Sequence, residues 1–341
     1  MNGQPLTGQS PDATAPLRLG TRRSALAMAQ SGMVAREVTR LTGRPVELVE
    51  ITTYGDTSRE ALAQIGGTGV FVSALRDALL EGRIDFAVHS LKDLPTAAPE
   101  GLVLAAVPER EDFRDALVAR EGLTLGELVE KLAGSGRTAR IGTGSPRRMA
   151  QLNAWARARG AQLETVAIRG NVDTRIGFVA SGELDAVVLA TAGLNRLGRA
   201  AEITEHLDRE LMIPAPGQGA LAVECTPTAV LPDGGSLAAA LSALDHTPTR
   251  VAVAAERALL SALEAGCSAP VAGLAVRGHE NELRLEGVVG TTDGATLLKM
   301  SADGPIVLDE TAEQRAAALG RALAARLLDA GAAALMGERA R

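Results

Sequence analysis

Seven residues, His89-Ser90-Leu91-Lys92-Asp93-Leu94-Pro95, bring together groups capable of chemistry. An ammonium and a carboxylate stand side by side, just after the apolar run 84–88 and just before a proline. The run reads as a buried strand. The pair then falls at the carboxyl end of that strand, where open α/β sheets bind ligands. Asp93 is therefore a candidate working carboxylate. The plainer alternative is a solvated Lys-Asp turn.

The arginines form a second constellation. Only Lys92, Lys131 and Lys299 among the 35 basic residues are lysines. Arginine grips carboxylates in a planar fork that lysine cannot offer. Arg22 and Arg23 follow Gly20-Thr21, and Arg147 and Arg148 follow Gly142-Thr143-Gly144-Ser145-Pro146. Arg169 and Arg175 flank Gly170-Asn171-Val172-Asp173-Thr174, and Arg196 follows Gly193-Leu194-Asn195. Cations at a helix start oppose the macrodipole, and a bound polyanion would offset that. Taken singly each arginine reads equally as surface or as an anion contact; the set reads as a cleft for several carboxylates or phosphates. Cys267 lies among small residues, Ala265-Gly266-Cys267-Ser268-Ala269. It reads equally as an accessible thiol or as a small packed residue. Cys225 sits within an apolar strand and reads as core.

Other chemistries find no support. The four histidines lack metal-ligand spacing. No phosphate loop, dinucleotide fingerprint or nucleophile elbow occurs. A net charge of −6 and 2% aromatics argue against nucleic acid and anionic membranes as partners. No apolar run is long enough to span a bilayer. Two cysteines fit a reducing cytoplasm better than a disulfide framework.

A chain of 341 residues suggests two or three domains. Residues 1–15 read as a disordered tail without the pattern of a signal peptide. Strand and helix then alternate: a strand at 17–19, a helix at 25–41 capped by Ser24, a strand at 46–52, a glycine-rich loop, and a helix at 70–80. Alternation of this kind predicts a mostly parallel sheet. The pattern repeats, because Ser181-Gly182-Glu183-Leu184-Asp185 echoes Glu81-Gly82-Arg83-Ile84-Asp85. Two α/β lobes facing one cleft are expected, joined by a crossover at Pro214-Ala215-Pro216-Gly217-Gln218-Gly219 and a strand at 220–225. A small α+β region follows: a helix at 248–265, strands at 271–276, 282–289 and 295–301, and an amphipathic helix at 312–335.

From about residue 17 to 300 the sequence resembles the porphobilinogen deaminase, or hydroxymethylbilane synthase, family. The resemblance is carried by Gly20 to Ser24, His89 to Pro95, Gly142 to Arg148, Arg169 to Arg175, Ala192 to Gly198, Pro214 to Ala220, and Gly266-Cys267. It implies two periplasmic-binding-protein-like lobes, each a mixed, mostly parallel five-stranded sheet with flanking helices, plus a small α+β C-terminal domain. The implied divisions are 16–110 with 218–238, 111–217, and 239–341. It implies a transferase of tetrapyrrole and haem biosynthesis, cytoplasmic and monomeric. A dipyrromethane cofactor, joined by thioether to Cys267, would prime head-to-tail addition of four porphobilinogen units. Each unit would lose ammonia to give an electrophilic azafulvene, and hydrolysis would release hydroxymethylbilane. Asp93 falls on the catalytic carboxylate. Lys92, Thr143, Ser145, Arg147, Arg148 and Asp93 fall on cofactor positions, and Arg22, Ser24, Arg169, Arg175 and Arg196 on substrate positions. No metal is implied. Two features depart from the family pattern: Gln64, Thr68 and Ser73 replace lysines of a mobile loop, and Arg23 occupies a variable slot. The rival reading from another class is a non-catalytic, two-lobed small-anion binding protein.

Overall fold

The structure, a computed structural model, describes residues 15–52, 72–231, 235–266, 269–278 and 281–336. Residues 1–14 of the expected tail, Gln64, Thr68 and Cys267 lie outside the described residues. The chain first lays down β1 (Leu17–Thr21), β2 (Val46–Glu50), β3 (Phe86–Ser90) and β4 (Val103–Ala106). It then builds β5 (Asp115–Ala119), β6 (Ala139–Gly142), β7 (Leu163–Val166), β8 (Ala186–Ala190) and β9 (Glu205–Leu207), and returns with β10 (Leu221–Cys225). The return strand joins the first sheet, giving the order β2-β1-β3-β10-β4; the second sheet runs β7-β6-β8-β5-β9. In the first, β1 pairs in parallel with β2 and β3 while β10 is antiparallel to β3 and β4. The second repeats this with β6 parallel to β7 and β8, and β5 antiparallel to β8 and β9.

The sequence repeat has a structural meaning. Asp85 donates its backbone N–H to the Arg18 carbonyl at 2.8 Å, and its carboxylate accepts from the Arg18 N–H at 2.7 Å. Asp185 does the same with Arg140, at 3.0 and 2.9 Å. In each lobe this carboxylate stitches the turn before one parallel strand to its neighbour. Ile84 and Leu184, the apolar members of the repeat, bury beneath Gly20 and Gly142, where a Cβ would meet them at 2.2 and 2.5 Å.

Central strands buried on both faces read as continuous apolar runs, and β3 and β8 are buried at four consecutive positions each. The expected strand at 84–88 lies two residues further on, so Ser90 runs straight into a single 3-10 turn, Leu91–Asp93. Beneath that end of β3, buried Glu224 pairs with Arg76 at 2.8 Å and His89 at 3.3 Å. Burial alone would raise the Glu224 carboxyl, but His89 and Arg76 beside it hold it at about 2.

The third sheet is antiparallel, β11 (Val271–Arg277), β12 (Glu282–Gly290) and β13 (Leu297–Pro305), covered by the helices Thr247–Ala262 and Ala312–Asp329. Their core holds Val251, Leu259, Leu285, Leu323 and Leu327. The final helix is not continuous to 335 as its periodicity suggests. Gly331 takes a left-handed φ of 93° and ends it, and the one-turn helix Ala332–Leu335 folds back to bury Ala332. The helix Gly235–Leu244 packs Leu237, Ala240 and Leu241 into the first lobe's core, so the expected division at 238/239 falls inside it.

Candidate active site

Asp93 closes the 3-10 turn with its side chain exposed, while Leu91 and Leu94 on either side are buried. That alternation anchors the turn and leaves the carboxylate outward. Leu91 donates to the Ala220 carbonyl at 3.0 Å and Leu94 to the Leu91 carbonyl at 3.1 Å. The crossover packs directly on the turn. Gly217 has φ 75°, and a Cβ there would stand 3.3 Å from the Lys92 nitrogen; Gly219 has φ 87°, and a Cβ would stand 2.5 Å from the Glu111 carbonyl. Only glycine meets both the conformation and the approach.

The second lobe presents its cations from the helix Pro146–Arg159, with Pro146 at the first position and Ser145 as N-cap. The Ser145 hydroxyl makes no capping hydrogen bond. Thr143 is wholly buried, its hydroxyl oxygen accepting from the Ser145 N–H at 3.2 Å. It orients the serine from below. Arg147 and Arg148 are only 4% and 5% exposed. Both turn to Asp115, which has no exposure: Arg147 Nη1 lies 2.8 Å from Oδ2, and Arg148 Nε and Nη2 donate to Oδ1 at 3.0 and 2.7 Å. Burial alone would raise the Asp115 carboxyl, but the two guanidiniums outweigh it and hold it well below the usual carboxylate range.

Gln218 links the lobes. Its amide nitrogen donates to Asp115 Oδ1 at 2.9 Å and to the Phe113 carbonyl at 2.8 Å, and its amide oxygen accepts from Lys92 Nζ at 3.3 Å. A polar chain thus runs from the turn of Asp93, through the crossover, to the arginine helix. The Lys92 ammonium is pushed down to about 8, first by burial; Asp93 and Asp115 favour its charge while Arg148 and Arg147 oppose it.

Arg175 sits on the helix Val172–Ala180, which Asn171 caps by accepting from the Thr174 N–H at 2.8 Å. Its Nε donates to the Gly170 carbonyl at 2.8 Å. Burial lowers its pKa, and Arg148 and Arg169 lower it further. These two guanidiniums therefore stand near enough to act on the charge of Arg175. Arg196 ends the helix Thr191–Arg196 and donates to the Gly219 carbonyl at 2.6 Å. Burial lowers its pKa and nearby Glu111 partly restores it. On the first lobe, Ser24 caps the helix Ala25–Thr42, accepting from the Ala27 N–H at 3.3 Å, with half-buried Arg22 on the turn before it. Arg23 instead pairs with Glu50 at 3.3 Å, both exposed. Ser73 opens the helix Ser73–Leu80 and is exposed. Cys225 is buried in β10, its thiol pushed up to about 11 by burial and then Glu224.

The sequence reading missed Asp115, Gln218 and Glu256. Glu256 has no exposure, accepts from the Gly217 N–H at 2.6 Å and pairs with Arg110 at 2.7 Å. A signal existed for two of them. Asp115 opens an otherwise apolar strand, and Glu256 lies on the buried face of its helix with Thr249 and Val253. A buried acid of either kind requires a cation or several donors.

Among the described residues no group of His, Cys, Asp and Glu could hold a metal, and no helix is long and apolar enough to cross a membrane. Two α/β lobes are thus linked through Gln218, with Lys92 and Asp93 on one side and Arg147 and Arg148 on the other. Residues 17–229 match the family model described as porphobilinogen deaminase, dipyromethane cofactor binding domain, and residues 251–329 match that of the porphobilinogen deaminase C-terminal domain. Porphobilinogen deaminase 1 of Streptomyces coelicolor is 66% identical, over 95% of this chain and 98% of its own. Porphobilinogen deaminase of Thermobifida fusca is 53% identical, over 94% and 95%. Among solved structures, a probable amino-acid ABC transporter extracellular-binding protein of Bacillus subtilis aligns over 67% of this chain and 91% of its own, with 12% identity and a TM-score of 0.40. The chain belongs to the porphobilinogen deaminase family.

Proposed function

We propose that the chain is a hydroxymethylbilane synthase, a transferase of tetrapyrrole biosynthesis that joins four porphobilinogen units head to tail and releases hydroxymethylbilane. Family membership over nearly the whole chain carries this reading, and it disfavours the non-catalytic anion binder. The cofactor is a dipyrromethane, and when bound it would supply the free pyrrole carbon to which the first unit is joined, each later unit joining the terminal ring of the growing chain. The residues present suit such a group. Its acetate and propionate chains require several cations, and Lys92, Arg147 and Arg148 are joined by hydrogen bonds through Gln218 and Asp115. The proposed anchor is Cys267, with Lys92, Ser145, Arg147 and Arg148 around the cofactor and Thr143 orienting Ser145.

Arg22, Ser24, Arg169, Arg175 and Arg196 are proposed to take the carboxylates of the incoming units. Asp93 would accept hydrogen bonds from pyrrole N–H groups. As the C–N bond of porphobilinogen breaks and ammonia leaves, positive charge grows on the ring. A fixed carboxylate stabilises that charge more than it stabilises the neutral ground state. Asp115 keeps two guanidiniums fixed before substrate arrives, so the site needs little rearrangement on binding. The reading carries a cytoplasmic location and a monomer, the latter checked by sedimentation at working concentration. Purified protein with porphobilinogen should release four ammonia per hydroxymethylbilane; absence of both products would overturn the reading.

A further inference from the structure

The turn that carries Asp93 is held from upstream by Ala220 and Gly217, as described above. It is also held from downstream, by a residue of the C-terminal domain to which neither the motifs nor the chemistry above assigns a role. Arg257, on the helix Thr247–Ala262, donates from Nη2 to the Pro95 carbonyl at 2.7 Å and from Nη1 to the Leu94 carbonyl at 3.3 Å. These are the first two carbonyls after Asp93. Leu94, only 4% exposed, shares a core cluster with Val253, one turn earlier on the same helix. The neighbouring residue Glu256 holds the Gly217 N–H at 2.6 Å, and Gly217 packs on the Lys92 nitrogen. Adjacent side chains of one helix therefore grip both flanks of the turn, an acid on one side and a guanidinium on the other. This helix also precedes Cys267 in the sequence by a few residues.

We propose that Arg257 is a positioning residue for the reaction: it fixes the backbone after Asp93 and so sets how far the Asp93 carboxylate reaches into the cleft. The proposal rests on the reading of Asp93 as the catalytic carboxylate. An exposed carboxylate on a one-turn helix takes its height from the backbone that carries it, and misplacement by about 1 Å can cost roughly a hundredfold in rate. Arginine suits the task because its planar fork meets two successive carbonyls, where a lysine ammonium is a point charge.

The test uses Arg257→Gln and Arg257→Lys in the full-length holoprotein, with the wild type alongside. Cofactor loading is read by intact mass, kcat and KM per loaded molecule with porphobilinogen, and amide hydrogen exchange across 91–96. Arg257→Gln should load normally, keep KM within about twofold and lose kcat by roughly ten- to a hundredfold. Exchange at Leu91 and Leu94 should quicken, and Arg257→Lys should fall between Gln and wild type. A wild-type kcat per loaded molecule in Arg257→Gln, or a loss of activity that only follows loss of cofactor, would overturn the proposal. Should Arg257→Gln fail to fold, Arg257→Lys decides: lower kcat at full loading supports the proposal, and wild-type kcat overturns it. If the wild type itself makes no hydroxymethylbilane, the functional reading falls, while the exchange data still judge the grip of Arg257 on the turn.

Discussion

Asp115 offers the sharpest energetic prediction. Asp115→Asn keeps the shape of the side chain and removes its charge. Arg147 and Arg148, 4% and 5% exposed, would then face each other without a carboxylate between them. Removing one partner of a buried ion pair costs about 3–5 kcal/mol. The asparagine oxygen can still accept from one guanidinium, which places the expected loss at about 3 kcal/mol. The single Trp155 lies on the same helix as both arginines and packs against the second lobe's core, so its fluorescence during urea unfolding reads this lobe. The pH dependence adds an independent check. The folded pKa of Asp115 is depressed, so its contribution is present above the unfolded value near 4 and is lost as pH falls through the folded value. The gap between wild type and variant should be complete at neutral pH and should narrow only below about pH 4. A gap under about 1 kcal/mol at pH 7, or one that widens on acidification, would refute the argument.

Asp93→Ala should keep the wild-type unfolding midpoint, because the side chain is exposed, and lose turnover; near-normal hydroxymethylbilane formation would exclude its catalytic role. Lys92 is charged below about 8 and neutral above it. In wild type kcat/KM for the anionic substrate should therefore fall as pH rises past about 8, and in Lys92→Arg that limb should vanish; identical profiles would remove Lys92 from the site. Arg175→Leu takes one guanidinium from a cluster of three. It should weaken substrate binding by about 1.5–3 kcal/mol, seen as a roughly ten- to hundredfold rise in KM; an unchanged KM would make Arg175 a surface residue.

The architecture was legible in sequence because its signals are local. Apolar runs such as Phe86–Val88 and Ala186–Leu189 mark central strands. The Asp85 and Asp185 echo marks a repeated lobe, and its cause, a carboxylate hydrogen-bonded to the backbone of the neighbouring parallel strand, is the same in both copies. The candidate site residues Asp93, Lys92 and the paired arginines could be named from sequence by type, and they stand on a 3-10 turn and in the first turn of a helix. What sequence could not supply was their partners, because these come from distant segments. Arg148 meets Asp115, 33 residues upstream, and Lys92 meets Gln218, 126 residues downstream. The sequence view of Arg147 and Arg148 as cations awaiting an anion therefore changes in physical terms. Both already share the one Asp115 carboxylate inside the protein, which leaves a single net positive charge there, and Arg148 and Arg169 act on the charge of Arg175. Strand ends shifted for a similar reason: β3 runs on to Ser90 because β10, from the far end of the chain, pairs with it there.

The central claim is that this protein extends a pyrrole chain covalently bound to itself. Intact mass of the freshly made protein, before and after brief exposure to porphobilinogen, tests it directly. The account predicts a starting mass above that of the bare sequence by one dipyrromethane and colour with Ehrlich's reagent. Brief exposure should add further species, each one pyrrole unit heavier than the last, and Cys267→Ala should show none of these. A wild-type protein at its bare sequence mass, colourless and unchanged by porphobilinogen, would contradict the account.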